Sequence, residues 1–275
     1  MSTVCSSPGF VYVEGPVRGY RVAQKKYGPV QPQERQGAVL QQKKVAQRFT
    51  HIPGISVTRK GIDRRGWNRF DTPGWTIYLA EDREIAYAET LSLLKAGNRF
   101  RAAAAHLAGL YGVSRDEAQQ MVRDDWDAKG WPLPGHLADE WREHRLIHTL
   151  QVEDSARWVD LTDHRTIAAL NRDLGADLVN DFDGQQITVH ELTGENRDLT
   201  TYIAEWVQNQ QLDDGSCPIG VKAHSKYGSG WCWAYWMPRR GHEADPGAVT
   251  VVESSAIEST DLALRSVLEL YGLHV

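Results

Sequence analysis

One carboxylate occupies a position that the surrounding sequence pattern reserves for apolar side chains. Residues 82–94, DREIAYAETLSLL, predict a helix, and Glu89 lies four residues after Ile85 and four before Leu93 on its apolar side. A carboxylate that faces inward is costly unless it is paired or hydrogen-bonded. Glu89 therefore either forms a buried ion pair with an arginine or belongs to a chemical site, and this segment alone leaves both alternatives open.

A cation and an aromatic ring precede Glu89 in the chain. Arg69 lies in NRFDTPG, just before the turn, and Tyr78 lies on the strand GWTIYLA, on the face opposite Ile77 and Leu79. A strand, a turn and a helix in series can hold a cation, a ring and a carboxylate around one cleft. Taken singly, a tyrosine usually packs with its hydroxyl bonded, and an arginine beside a turn usually braces that turn or lies at the surface.

A second group of polar residues lies in GVKAHSKYGSGWCWAYW, residues 220–236. Its two apolar runs predict a hairpin, with Ser225 where the first strand enters the turn. His224 and Ser225 are adjacent, so on a strand they point to opposite faces and form no nucleophile–base pair. Ser225 is expected to hydrogen-bond a ligand or to cap the turn.

Other chemical motifs have less support. His144 and His148 in HRLIH have the spacing of a zinc pair, but the glutamate of a metalloprotease helix is missing, and a solvated helix face is the preferred interpretation. The sequence contains neither GxxxxGK nor GxGxxG, so a nucleotide kinase and a Rossmann dinucleotide site are not supported. We expect no metal.

The elements that position these residues mix strands and helices without a regular βαβ rhythm. Strands are expected at FVYVEGPVRGYRV, GWTIYLA and RWVDLTD, and helices near 37–49, at 82–94 with a stop at Gly97, and at the C-terminus. Residues 98–145 read as further helices. The pattern predicts a single α+β domain over 1–275, with mixed small sheets flanked by helices, and disfavours a doubly wound sheet.

The composition describes an ordinary globular chain of 275 residues with a net charge of -5. Three cysteines give no disulfide framework, and neither a signal peptide nor a membrane span is recognisable, so we expect a cytoplasmic location. The charge is uneven, because only Glu34 and Asp63 oppose the many lysines and arginines of residues 18–69. Most of these are expected on a solvated face, and the alternative is a surface that receives phosphates.

The motifs taken together resemble the RES-domain family, named for its Arg, Glu and Ser. The resemblance lies in an arginine, then NRF..PG...YLA.....A..E, then GV..HS..G.G.CWA.W. Asp160 and Asp163 in WVDLTD also match, and we expect them to have a structural role. The matching segments are 18–22, 66–91, 158–163 and 198–236. Residues 98–145 would then be a helical insertion.

The resemblance implies a fold similar to that of ADP-ribosyltransferases and an activity on NAD. The residues that match the family's site are Arg21, with Arg18 as the alternative first arginine, and Arg69, Tyr78, Glu89 and Ser225. It implies that Glu89, Arg69 and Ser225 are catalytic and that the arginines, the tyrosine and the serine bind NAD. Members are commonly toxins of toxin–antitoxin pairs, so an antitoxin partner is expected.

Three functions remain open on the sequence. The first is an NAD glycohydrolase or phosphorylase that splits nicotinamide from ADP-ribose. The second is an ADP-ribosyltransferase that uses the same site with a protein acceptor. The third is a nucleic-acid-binding or docking module that uses the basic residues 18–69. That stretch is poor in aromatic residues, which argues against specific binding of single strands. The sequence leaves the oligomeric state open, including a homo-oligomer.

Overall fold

The computed structural model describes residues 2–15, 17–35, 64, 66–94, 98–129, 135–153, 157–240, 243–244, 247 and 249–274. The helix expected near 37–49, the stop at Gly97 and most of the basic stretch lie outside these residues. The prediction of a nucleic-acid surface therefore stays a prediction.

The described residues form eleven strands and nine helices. The strands are β1 (Ser2–Val4), β2 (Val11–Glu14), β3 (Val17–Gln24), β4 (Trp75–Ala80), β5 (Arg145–Val152), β6 (Arg157–Asp160), β7 (Gly220–His224), β8 (Trp231–Met237), β9 (Arg239–Arg240), β10 (Glu243–Ala244) and β11 (Val249–Ala256). The helices are α1 (Arg83–Leu91), α2 (Asn98–Tyr111), α3 (Arg115–Ala128), α4 (Asp139–Glu143), α5 (His164–Asp173), α6 (Gly175–Asp181), α7 (Val189–Thr193), α8 (Arg197–Gln208) and α9 (Leu262–Tyr271). None of these helices is long and apolar enough to cross a bilayer.

Nine of the strands join in one sheet rather than in several small ones. Their order is β1-β2-β6-β7-β8-β4-β3-β5-β11, and β9 pairs with β10 in a separate ribbon. Neighbours in the sheet run antiparallel except β6 and β7, which run parallel. A largely antiparallel sheet with helices packed around it is an α+β architecture, as the sequence predicted.

The sheet curls where β3 meets β4. These strands pair only at Tyr20 and Ala80, and β3 then continues along β5. Gly19 approaches the other half so closely that an added Cβ would lie 2.8 Å from Leu79 Cβ. One apolar cluster consequently joins both halves of the sheet, and it includes Val17, Ile77, Leu79, Leu150, Val152, Trp158 and Tyr235.

Helices occupy most of residues 98–145, as predicted. Ser114 caps α3 in a capping box with Glu117, and α2 packs mainly on α3 through a small apolar cluster of its own. Whether these helices are an insertion relative to the RES-domain family stays a prediction.

The interpretation of HRLIH as a solvated helix face is wrong. His144 ends α4, and His148 lies in β5, where it is 1% exposed and bonded through Nδ1 to Ser254 Oγ at 2.7 Å. Burial, followed by the charge of Arg21, lowers the pKa of His148. The two histidines thus lie on different elements, and the one-turn helical spacing that suggested a zinc pair is absent.

Candidate active site

Helix α1 carries Glu89 at the edge of the apolar core. The helix begins at Asp82, whose side chain accepts a hydrogen bond from Ile85 N at 2.7 Å. Its inner side packs Ile85, Ala86, Ala88 and Leu91. The sequence predicted that Glu89 faces inward among these apolar residues. Its side chain remains 29% exposed, so the carboxylate is only partly buried and a ligand can reach it.

Ser225 follows β7 and holds the Glu89 carboxylate. Its Oγ donates to Glu89 Oε1 at 2.6 Å and accepts from the backbone N–H groups of Tyr227 and Gly228, each at 3.0 Å. The backbone N–H of Lys226 donates to the same carboxylate oxygen at 3.2 Å. The serine therefore caps its turn, which was one of the two expected roles, and it also orients the acid. A hydrogen bond from Ser225 to a ligand stays a prediction.

His224 takes no part in this contact. Its ring stacks on Trp231 with 3.8 Å between centroids, as expected for a side chain on the other face of the strand. The described residues therefore contain no Ser–His pair at this position.

Arg69 completes what we call the site cluster, namely Arg69, Glu89 and Ser225. Arg69 Nη2 lies 3.6 Å from Glu89 Oε1, within ion-pair range but beyond a normal hydrogen bond. The Arg69 side chain is 10% exposed, and its buried Nη1 has no hydrogen-bond partner among the residues that the structure describes. The ion pair that was the alternative for Glu89 is thus present, but it leaves a buried cationic donor unused.

Tyr78 braces the turn that carries Arg69. Its hydroxyl donates to Asp71 Oδ1 at 2.9 Å and accepts from Phe70 N at 3.0 Å. Burial, with the Asp71 charge, raises the pKa of Tyr78 well above its ordinary value, and burial also raises the pKa of Asp71. Asp71 binds Arg35 Nε at 2.7 Å as well. Because the Tyr78 hydroxyl is bonded within the turn, only its ring could meet a ligand, and that role stays a prediction.

Arg21 is not bonded to the site cluster among the described residues. It lies opposite His148 in the β3–β5 register, and its Nε is buried without a hydrogen-bond partner. Burial lowers the pKa of Arg21 to about 10, although the charges of Asp71 and Tyr78 act to raise it. The role of Arg21 as an NAD ligand stays a prediction.

Two further cations near the start of α8 were not singled out from the sequence. Arg64 is buried and donates to Asp198 Oδ1 at 3.2 Å, and its Nε has no partner in the described ranges. Lys226 binds Glu195, and this bond, followed by other nearby cations including Arg69, lowers the pKa of Glu195. In the sequence Arg64 was only one cation of a basic stretch, and no local pattern distinguished it.

Cys232 also borders the carboxylate. Its Sγ lies 3.8 Å from Glu89 Oε1. Burial, followed by the charge of Glu89, raises the pKa of Cys232 to about 12. The thiol is therefore protonated near neutral pH and is a poor nucleophile.

The arrangement combines a partly exposed carboxylate, hydrogen-bond donors that orient it, and the buried Arg69 guanidinium, one N–H group of which has no partner among the described residues. It can stabilise a developing positive charge at the carboxylate and bind anionic oxygens nearby. Within the part of the chain that the structure describes, His, Cys, Asp and Glu side chains form no group of three or more that could hold a metal ion.

Comparison with known proteins gives one structural neighbour to report. No family model and no curated protein matches this sequence. A solved structure, the crystal structure of the M. tuberculosis MbcT–MbcA toxin–antitoxin complex, aligns with 95% of this chain and 91% of the other at 16% identity and a TM-score of 0.36. At that TM-score the match carries no argument about fold or activity.

Proposed function

We propose that this protein cleaves the bond between nicotinamide and ribose in NAD and transfers ADP-ribose to water or phosphate. The observation that carries the proposal is the site cluster itself. A carboxylate fixed by Ser225 lies beside the buried guanidinium group of Arg69, whose Nη1 has no partner within the described part of the chain. A ligand that suits both groups carries a sugar able to develop positive charge and an anionic oxygen.

Cleavage of NAD generates such a charge. As the glycosidic bond breaks, its electron pair moves to the nicotinamide ring nitrogen, and positive charge grows on the ribose C1 and ring oxygen. The carboxylate of Glu89 stabilises that charge and accepts hydrogen bonds from ribose hydroxyls. A water or phosphate oxygen then bonds to C1, and water releases a proton in doing so.

Ser225 and its turn prepare the carboxylate for this role. Two hydrogen bonds to Glu89 Oε1, from Ser225 Oγ and Lys226 N, fix that oxygen. Among the described residues no hydrogen bond engages Oε2, which would accept from the substrate. An acid held in place before the reaction reorganises little when charge develops, which is the main advantage of a preorganised site.

The unused arginine donors suit the pyrophosphate of NAD. A buried donor without an acceptor costs about 1–3 kcal/mol, and a phosphate oxygen that accepts from it removes that cost on binding. Arg69 Nη1 belongs to the arginine that lies within ion-pair range of the acid, and Arg64 Nε and Arg21 Nε are further candidates. Planar guanidinium groups make paired bonds to phosphate, which favours arginine in this role.

The resemblance to the RES-domain family adds a biological role to this chemistry. We propose that the protein is the toxin of a toxin–antitoxin pair and that an antitoxin protein controls it. The same site with a protein acceptor would make it an ADP-ribosyltransferase, and the experiment below separates the two.

The test is product analysis with purified protein and NAD. We expect the wild type to release nicotinamide with ADP-ribose in buffer, or with phosphorylated ADP-ribose when phosphate is added. Glu89→Gln should lose at least about 100-fold in rate, because the amide cannot stabilise positive charge. Glu84→Gln, an exposed acid on the same helix, is the matched control and should retain activity.

Two results would change the conclusion. Labelled NAD that marks a lysate protein with little free ADP-ribose would show the transferase. Intact NAD under all these conditions, with a folded wild-type protein, would contradict the proposal.

A further inference from the structure

The C-terminal helix α9 runs along the helix that carries Glu89. At its start, Asp261 binds both Arg83 and Tyr87 of α1. Farther along, Ser266 Oγ donates to Glu84 Oε1 at 3.0 Å. Their apolar sides share one cluster, which includes Tyr87, Ala88, Leu91, Leu264, Val267, Leu268 and Tyr271.

Tyr271, at the end of α9, contacts both segments that carry the site, namely the end of α1 and the turn that follows β7. Its hydroxyl lies 3.1 Å from the carbonyl oxygen of Ala88 and 3.4 Å from that of Tyr227. Ala88 directly precedes Glu89 in the chain, and the N–H of Tyr227 donates to Ser225 Oγ. One phenol thus contacts the backbone of the acid helix and the backbone of the serine turn.

We propose that Tyr271 is a positioning residue that sets the distance between Glu89 and Ser225. This role rests on the proposed function, because Tyr271 would align the site at which NAD is cleaved. Tyr271 itself need not touch the substrate.

The Tyr271 hydroxyl has one proton, and the carbonyl oxygens of Ala88 and Tyr227 can both accept a hydrogen bond from it. Burial, followed by the charge of Glu89, raises the pKa of Tyr271 to about 12, so the hydroxyl remains a donor throughout the neutral range. The donor couples the last turn of α1 to the turn that follows β7. Without the Tyr271 hydroxyl, the Ser225–Glu89 hydrogen bond is left to hold α1 and the serine turn in register. Small misalignments of catalytic groups reduce the rate strongly.

Tyr271→Phe tests this role, and Tyr87→Phe is its matched control. Both changes remove one hydroxyl that joins α9 and α1, but the Tyr87 hydroxyl binds the Asp261 carboxylate, whereas the Tyr271 hydroxyl contacts the backbone of the residue before Glu89. In Tyr271→Phe we expect kcat for NAD cleavage to fall about fivefold, the size of one hydrogen bond, with KM within about twofold. Tyr87→Phe should lower the melting temperature and leave kcat within about twofold of wild type.

Amide hydrogen exchange gives a second readout that does not depend on activity. We expect exchange of residues 226–228 to accelerate in Tyr271→Phe and to stay unchanged in Tyr87→Phe. Equal kcat and equal exchange in wild type and Tyr271→Phe would overturn the positioning role. If the wild type does not turn over NAD, the proposed function fails while the exchange comparison still decides whether Tyr271 holds the serine turn.

Discussion

Replacing Ser225 by alanine removes the atom that joins the two halves of the site. In the folded protein, Ser225 Oγ donates to Glu89 Oε1 and accepts from two backbone N–H groups of its own turn. The serine is 8% exposed, so water replaces these contacts poorly at the acid. Alanine fits the same space, and the change is therefore in hydrogen bonding rather than in packing.

The expected magnitude follows from these three bonds. A hydrogen bond to a charged group contributes about 1.5–3 kcal/mol, and a buried donor left without an acceptor costs about 1–3 kcal/mol. Since Gly228 is exposed and its N–H can bind water, we expect a total loss of about 2 kcal/mol in the free energy of unfolding. The freed Glu89 should also lower kcat by about 10- to 100-fold, because displacements near 1 Å can cost that much.

Denaturant unfolding and NAD turnover measure the two effects separately. Ser229→Ala, at an exposed serine of the same turn, is the matched control and should change neither quantity. Wild-type stability and turnover in Ser225→Ala would refute the view that this hydroxyl orients the acid. A loss of stability with full turnover would show a turn cap without a catalytic role.

Three further changes probe the elements that support the site. Gly220→Ala would place a Cβ 2.2 Å from the carbonyl oxygen of Ala234, and we expect urea unfolding to show a loss of about 1–3 kcal/mol, the usual range for overpacking. Asp71→Asn removes the charged acceptor of the Tyr78 hydroxyl, so it should destabilise the protein by about 1–3 kcal/mol. Because Tyr78 braces the turn that carries Arg69, the same change should raise KM for NAD. Burial and the nearby Arg21 lower the pKa of His148, so the folded protein favours the neutral imidazole. The stability that this preference contributes is lost as pH falls below about 6.5, the ordinary pKa of histidine. Wild type should therefore lose stability from about pH 7 to pH 5 more steeply than His148→Gln in urea titrations at each pH.

The position of Glu89 was predictable because it contradicts a local pattern. A helix with a clear cap and an apolar side makes a misplaced carboxylate visible in the sequence, and α1 has that cap and that side. The strand faces around Tyr78 and the hairpin that carries Ser225 follow from two-residue alternation and turn chemistry in the same way.

The remaining features depend on contacts between distant segments. The run RLIHTLQV is compatible with a helix or a strand, and its pairing with β3 and β11 decides in favour of a strand with a buried His148. Strand order and the curl at Tyr20 are also set by such long-range pairs. Tyr271 occupies an ordinary apolar position of an amphipathic helix, so nothing local indicates its contact with the site.

A crystal structure of the Glu89→Gln variant with NAD bound would show directly whether the site cluster is the NAD site. We expect the nicotinamide ribose within hydrogen-bond distance of the side chain at position 89 and Ser225, and a phosphate oxygen on Arg69 Nη1. NAD bound elsewhere on the protein, or no bound NAD at millimolar concentration in a crystal where this face is open, would contradict it.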